Sequence, residues 1–273
     1  MEALNEQPTL AELRSKAHVS YSAIRAFLLC PMKFYYSYTE KREPSHKPVA
    51  LILGGGSGTR MGTDQNKVFM PIRGIPAIVR ATVPFTGICA GAVAVAQPDE
   101  IPLMQAVFMQ FGLSKFVTAV VAGGRTRQKS VWNGLQALPE DADIVMIHDG
   151  ARALVTEDVI QRALKSAVEH GSGVASLAVS DTVKRVDPKG RALETLDRET
   201  LRAMQTPQAF RVELIQKAHE LAQREGFLGT DDAALLERAE IPVYVTEGSR
   251  RNIKLTTQFD IVLAAAILED EQA

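Results

Sequence analysis

From residue 47 onward, short runs of apolar, largely β-branched residues alternate with longer stretches whose apolar positions recur every three or four residues. The runs VALIL (49–53), AGAVAVA (90–96), FVTAVVA (116–122), DIVMIH (143–148) and GVASLAV (173–179) predict buried strands. Between them, IPAIVRATVPF, EIPLMQAVFMQFG, RQKSVWNGLQAL and EDVIQRALKSAVEHG have helical spacing, with Pro84 and Pro102 blurring two of the boundaries. Each helix is placed to cross from one strand to the next. The alternation therefore predicts an α/β protein with a mostly parallel twisted sheet flanked by helices.

The segment TVKRVDPKGRALETLD breaks this rhythm, with two polar extended stretches on either side of Asp187, Pro188, Lys189 and Gly190. That is turn chemistry, and it predicts a β-hairpin arm over about 181–204 projecting from the sheet. After it the pattern predicts a helix over 211–225, a polar GTDD turn, another helix, a strand at IPVYVTEG and a final helix from about Gln258. Residues 1–46 differ in kind, being rich in aromatics and then charged and proline-bearing. They read as a helical, non-catalytic extension ahead of a main domain over 47–273.

The chain has 273 residues, 46% hydrophobic and 23% charged, which is ordinary for a globular protein of this size. Its formal net charge of -1 offers no overall positive field for gripping nucleic acid, so any anion site must be local. Cys30 and Cys89 make neither a disulfide framework nor the paired spacing of a zinc site. No apolar run approaches the ~20 residues of a membrane helix, and MEALNEQPTL lacks the layout of a signal peptide. The expectation is a soluble, cytoplasmic protein that engages neither nucleic acid nor membrane.

Candidate chemistry begins at LILGGGSGTRMG (51–62), where a strand runs into a glycine turn. Without Cβ atoms, Gly54, Gly55, Gly56 and Gly58 can turn tightly and aim amides at phosphate oxygens. The order of residues excludes both a P-loop, which needs lysine followed by Ser or Thr, and a GxGxxG dinucleotide fingerprint. The glycines alone suit a tight turn without ligand equally well. Arg60 and Lys67 tip the reading toward a polyphosphate, because guanidinium and ammonium groups can follow charge onto a leaving group.

In HDGAR (148–152), Asp149 should emerge where an apolar strand ends, at the ligand-binding edge of such a sheet. Its carboxylate suits Mg²⁺ bridging a triphosphate; the alternative is a capping aspartate for the next helix. His148 reads as satisfying backbone groups rather than as a base. AGGRTRQKSV offers a second glycine turn and then Ser130 at the start of a helix, amides and a hydroxyl that can match a base edge without adding charge; Arg125 and Arg127 are open to being ordinary helix-entry charges, Arg125 the more so.

GGGSGTRMG followed by NKVFMPIRGIP resembles the opening of the sugar-nucleotide-type nucleotidyltransferases. AGGRTRQKSVWNGL (122–135), HDGAR, DTVK (181–184), QTPQAF (205–210), TDDA (230–233) and NIKLTT (252–257) then follow in the order of the 2-C-methyl-D-erythritol 4-phosphate cytidylyltransferase family. The resemblance spans about residues 47–270. It implies a Rossmann-like fold and transfer of CMP from CTP to 2-C-methyl-D-erythritol 4-phosphate, with release of pyrophosphate, in isoprenoid precursor synthesis. It also implies Mg²⁺ or another divalent cation at Asp149, with Arg60, Lys67, Asp149 and Lys254 as the catalytic set. Gly54, Gly55, Gly56, Gly58, Gly124 and Ser130 would hold the nucleotide, and Arg152, Thr182, Arg198, Thr230 and Lys254 the acceptor phosphate.

In the family the hairpin arm completes a partner's site, which implies a homodimer with Arg198 at the far end of the arm. No general base is required, because a phosphate monoester is already ionised at neutral pH. Three departures stand out: Ala153 and Asn66 where the family commonly has proline, and Gly150 where alanine is usual. All keep the charged groups, so they bear on the acceptor more than on activity. The nearest alternatives are a ribitol-5-phosphate cytidylyltransferase and a non-catalytic nucleotide-binding protein. SYSAIRAFLLCPMKFYYSY (20–38) resembles a short stretch near the start of RecB-like nucleases, yet no acidic nuclease core follows, and Cys30 alone cannot hold an iron–sulfur cluster. A fusion remnant is the competing reading of that extension.

Overall fold

A computed structural model describes residues 46–55 and 66–270. The extension with its nuclease-like stretch, apart from His46, and Gly56, Gly58 and Arg60 of the glycine loop lie outside the described residues. Contacts divide the chain between Ser45 and His46, and the fold described below belongs to the second unit.

In chain order, β1 (Pro48–Leu53) leads to a short antiparallel pair, β2 (Pro71–Ile72) and β3 (Ile75–Pro76), and then to α1 (Ala77–Thr82). Next come β4 (Gly91–Ala96), α2 (Ile101–Gln110), β5 (Val117–Ala122), α3 (Arg127–Leu135), β6 (Ile144–Asp149), α4 (Glu157–His170) and β7 (Ser172–Ala178). The remainder comprises β8 (Lys184–Val186), β9 (Ala192–Thr195), β10 (Arg202–Arg211), α5 (Val212–Glu225), α6 (Ala233–Arg238), β11 (Val245–Glu247) and α7 (Gln258–Asp270).

Seven strands form one sheet in the order β11-β7-β10-β6-β1-β4-β5. β1 pairs in parallel with β4 and β6, β4 with β5, and β11 with β7. Only β10 runs against the others, antiparallel to both β6 and β7. The sheet is therefore mostly parallel and flanked by helices. Successive side chains of β1 serve opposite faces: Ile52 packs with Ile78, Phe85, Met104 and Met146, while Leu51 packs with Val93, Leu135, Ile147 and Phe210. Burial on both faces is why these strands read as unbroken apolar runs.

Several boundaries differ from the pattern. Residues 202–211, of which the pattern gives the first three to the arm, the last to a helix and 205–210 to no element, form the ten-residue strand β10. Its polar Gln205, Thr206 and Gln208 and its Pro207 hid a strand from periodicity, and a register shift between Met204 and Gln208 accommodates them. The 75–85 helix shortens to α1 plus a 3₁₀ turn at Val83–Phe85, since Ile75 and Pro76 pair with β2 instead. IPVYVTEG contributes only Val245–Glu247, an edge strand whose Val245, like Tyr244 before it, is exposed.

β8 and β9 pair across Asp187–Gly190, where Asp187 Oδ1 accepts from the amides of Lys189 and Arg191 at 3.0 and 2.9 Å. Gly190 closes the turn with φ +84°, a conformation that favours glycine. Among the described residues no helix is long and apolar enough to cross a membrane. Cys89 is buried, its Sγ 3.8 Å from Met146 Sδ.

The fit of α4 against β7 depends on Gly173, where an added Cβ would stand 2.1 Å from the Ala163 carbonyl oxygen. Both partners are backbone, so Gly173→Ala should lower stability by about 1–3 kcal/mol, read as a lower urea midpoint. An unchanged midpoint would show that helix and sheet are not in this close contact.

Candidate active site

The carboxyl ends of β6, β1, β4 and β5 share one edge of the sheet, the usual ligand edge of an α/β fold. Asp149 is the last residue of β6, beside Leu53 at the end of β1, and is 8% exposed. Its Oδ2 lies 2.6 Å from Lys254 Nζ and its Oδ1 3.4 Å from Arg127 Nε. Arg127 Nη1 in turn lies 2.7 Å from Oδ2 of Asp232, although not in line for a hydrogen bond. Asp232 is 1% exposed. Four charges thus alternate in sign from Lys254 through Asp149 and Arg127 to Asp232.

Burial works against the Asp149 carboxylate, but the Arg127, Lys254 and Arg152 cations outweigh it and hold the group well below its ordinary 3.8. Burial likewise opposes the charge on Arg127, yet Asp232 and Asp149 push its pKa up. At Asp232 burial prevails over Arg127 and raises the carboxyl. Arg127, Arg152 and Lys254 gather around Asp149 at the strand ends, a local group of cations that the near-neutral whole chain does not reveal.

Thr206 and His148 fix the backbone of this corner. The Thr206 hydroxyl accepts from the Asp149 amide at 3.0 Å and faces His148 Nδ1 at 3.0 Å, so it donates to that nitrogen. His148 then carries its proton on Nε2, which donates to the Arg152 carbonyl at 3.2 Å. Burial pushes the imidazole down from 6.5 to about 4, so it is neutral and serves geometry rather than proton transfer. Leu255 N donates to the Ala151 carbonyl at 2.8 Å, tying the Lys254 loop to the turn after β6.

The glycine loop leaves β1 through Gly54, whose amide donates to the Val95 carbonyl at 2.7 Å. Asn66 Nδ2 donates back to the Gly54 carbonyl at 2.6 Å and to Glu100 Oε2 at 2.8 Å. Its φ of -63° is one that proline also adopts, which explains how asparagine serves at a usual proline position. Asn66 caps the 3₁₀ turn Lys67–Phe69, so Lys67 enters that turn half-buried. Gly55 is half-buried beside the end of β4. Gly150 is explained as directly: a Cβ there would meet Ile78 Cδ1 at 2.4 Å and the Leu53 oxygen at 2.9 Å.

In the loop after β5, the Gly124 amide donates to Ser130 Oγ at 3.0 Å and Ser130 donates to the Thr126 carbonyl at 2.9 Å. Ser130 therefore shapes the loop in this single chain. Arg152 spends Nη1 on the Asn252 carbonyl at 2.7 Å and Nη2 on that of Met204 at 3.5 Å, while its buried Nε has no hydrogen-bond partner among the described residues. Thr182, Arg198 and Thr230 are exposed, and no hydrogen bond or ion pair among the described residues joins them to Asp149 or Lys254. Arg198 Nη1 donates to the Ser180 carbonyl at 2.9 Å.

Three residues of this site were not singled out by sequence reasoning. Arg127 was read as a helix-entry charge, although a cation at the first position of α3 opposes the helix dipole and signals another partner. Asp232 and Thr206 lay inside quoted motifs with no role attached. Among the described residues no three His, Cys, Asp or Glu side chains gather for a metal. A magnesium ion held by one carboxylate, substrate phosphates and water needs no such cluster. Asp149 Oδ1, whose ion pair with Arg127 is 3.4 Å long among the described residues, fits that requirement.

A sequence model described as IspD: 2-C-methyl-D-erythritol 4-phosphate cytidylyltransferase matches residues 49–270. The curated 2-C-methyl-D-erythritol 4-phosphate cytidylyltransferase of Geobacillus thermodenitrificans is 46% identical over 222 residues, covering 80% of this chain and 96% of that protein. The protein of that name from Geobacillus kaustophilus is 44% identical, covering 82% and 98%. The crystal structure of 4-diphosphocytidyl-2C-methyl-D-erythritol synthase from Anaerococcus prevotii superposes with TM-score 0.73 at 26% identity, covering 83% of this chain and 100% of that one. The 2-C-methyl-D-erythritol 4-phosphate cytidylyltransferase structure from Thermus thermophilus gives 0.68 at 29% identity, covering 82% and 99%.

The buried imidazoles make stability depend on pH. His148 and His219 are both held near 4, first by burial, whereas an unfolded histidine takes up its proton near 6.5. Between those values the unfolded chain binds more protons, so stability should fall as pH drops from about 7 toward 4. The Asp149 contribution, from a depressed carboxyl, is lost only at still lower pH. His219→Phe should flatten the slope of urea midpoint against pH, and an unaltered slope would mean that this imidazole is not buried neutral.

Proposed function

Because the chain belongs to the 2-C-methyl-D-erythritol 4-phosphate cytidylyltransferase family, we propose that it transfers CMP from CTP to 2-C-methyl-D-erythritol 4-phosphate and releases pyrophosphate. The observation that carries this reading is Asp149, ionised between Lys254 and Arg127 at the strand edge from which the glycine loop departs. An acceptor phosphate oxygen attacks the α-phosphorus of CTP; the bond from that phosphorus to the bridging oxygen breaks, and pyrophosphate leaves with its electron pair. The attacking oxygen is already an anion, so no base is needed, in keeping with a His148 committed to neutral hydrogen bonds.

Catalysis then consists of positioning and charge neutralisation. Gly55, Gly56 and Gly58 would cradle the triphosphate with their amides, whereas Gly54, expected to do the same, has its amide on the Val95 carbonyl and instead sets the start of the loop; Arg60 and Lys67 meet the charge, and Gly124 and Ser130 receive the base and ribose. Asp149 would hold Mg²⁺, which when bound neutralises phosphate charge. Lys254 stands beside Asp149 to offset repulsion as two anions approach. Arg152, Thr182, Arg198 and Thr230 form the acceptor pocket. The exposure of Thr182 and Arg198, remote in bonding from Asp149, supports their acting across a subunit boundary in a homodimer, with the β8–β9 hairpin as the arm.

Purified protein with CTP, Mg²⁺ and 2-C-methyl-D-erythritol 4-phosphate should release pyrophosphate, and ribitol 5-phosphate should substitute poorly. No release above background would overturn the reading. Lys254→Ala and Lys67→Ala should each lower kcat/KM by about 100-fold or more with an unchanged fold, the scale of losing one charge-stabilising group. Wild-type turnover in either variant would remove that lysine from the site.

A further inference from the structure

The QTPQ segment of β10 is unassigned by the chemistry above, yet it binds the loop that leads to Lys254, the turn that carries Asp232 and the amide of Asp149 itself. Gln205 is buried, and its amide binds the loop ahead of Lys254 in both senses. Nε2 donates to the Ser249 carbonyl at 2.9 Å and to that of Asn252 at 3.4 Å. Oε1 accepts from the Ser249 amide at 3.1 Å and from Asn252 Nδ2 at 3.4 Å. Asn252 Nδ2 also donates to the Thr206 carbonyl at 2.8 Å. The anchored loop thus ends two residues before Lys254.

Gln208 does the same for a different loop. Its Oε1 accepts from the amides of Asp232 and Ala233, both at 3.2 Å, and its Nε2 donates to Asp231 Oδ2 at 2.8 Å. This fixes the residue whose carboxylate holds Arg127. Between the two glutamines, Thr206 receives the Asp149 amide itself. A primary amide suits such work, since it offers two donors and an acceptor with two lone pairs and can satisfy a peptide group at both ends.

We propose that Gln205 and Gln208 are positioning residues with divided tasks. Gln205 sets Lys254 against Oδ2 of Asp149, and Gln208, through Asp232, sets Arg127 against Oδ1. Neither touches the reacting atoms. The turnover consequence rests on the proposed function, whereas the structural consequence does not.

The test uses the full chain with Gln205→Met and Gln208→Met, which nearly conserve volume, and with Gln205→Ala and Gln208→Ala as a second pair. Amide hydrogen exchange read by mass spectrometry, without substrate, should speed up by at least about tenfold over residues 248–255 in the Gln205 variants and stay unchanged over 229–235. The Gln208 variants should show the reverse. Equal acceleration of both loops, or of neither, would overturn the proposal.

Double-mutant cycles on kcat/KM supply the second readout. Gln205→Met should cost no further activity, within about twofold, in a Lys254→Ala background, but its full cost in an Arg127→Ala background; Gln208→Met should behave in the opposite way. Losses that multiply in every background would mean general destabilisation and would overturn the division of tasks. An inactive wild type would instead refute the proposed function, leaving hydrogen exchange to decide the inference.

Discussion

A carboxylate withdrawn from water at the end of a strand is costly unless opposite charge meets it, and the site is organised around that constraint. Asp149 is met from both sides, by Lys254 after β11 and by Arg127 at the head of α3. Arg127 needs its own counter-charge and finds it in Asp232, on the turn before α6. Segments far apart in the chain are thereby brought to one edge of the sheet, and each is placed by charge as well as by packing.

The single antiparallel strand makes this arrangement possible. Because β10 enters between β6 and β7, its polar residues lie beside the end of β6, where Thr206 takes the Asp149 amide and the two glutamines reach the flanking loops. A seventh parallel strand with apolar side chains would have filled the same space without offering hydrogen bonds. Buried Gln205, Thr206 and Gln208 are tolerated because each finds partners.

Much of the architecture was legible in the sequence for a simple reason: strands buried on both faces are continuous in their apolarity, and VALIL, AGAVAVA and DIVMIH could hardly be anything else. β10 was illegible because its buried groups are polar and its proline argues against a central strand. The helix over residues 75–85 was overdrawn because Ile75 and Pro76 pair with a neighbouring hairpin strand, a tertiary choice that periodicity does not record. Asp149 and Lys254 were legible through motif order. Arg127 was not, since a cation entering a helix looks like surface until Asp149 and Asp232 appear beside it. Asn66 and Gly150, noted as departures, are explained only in three dimensions: one by a bond to Gly54 and a proline-compatible backbone, the other by the Leu53 carbonyl that a methyl group would strike.

The central claim, that Asp149 is kept ionised by the cations that flank it, is open to direct measurement. Carbon-13 NMR of the Asp149 side-chain carboxyl can be followed through an acid titration over the range in which the protein stays folded. A midpoint well below 3.8, moving upward in Lys254→Ala, is the predicted result. A midpoint at or above 3.8 in the unaltered protein, indifferent to loss of Lys254, would contradict it.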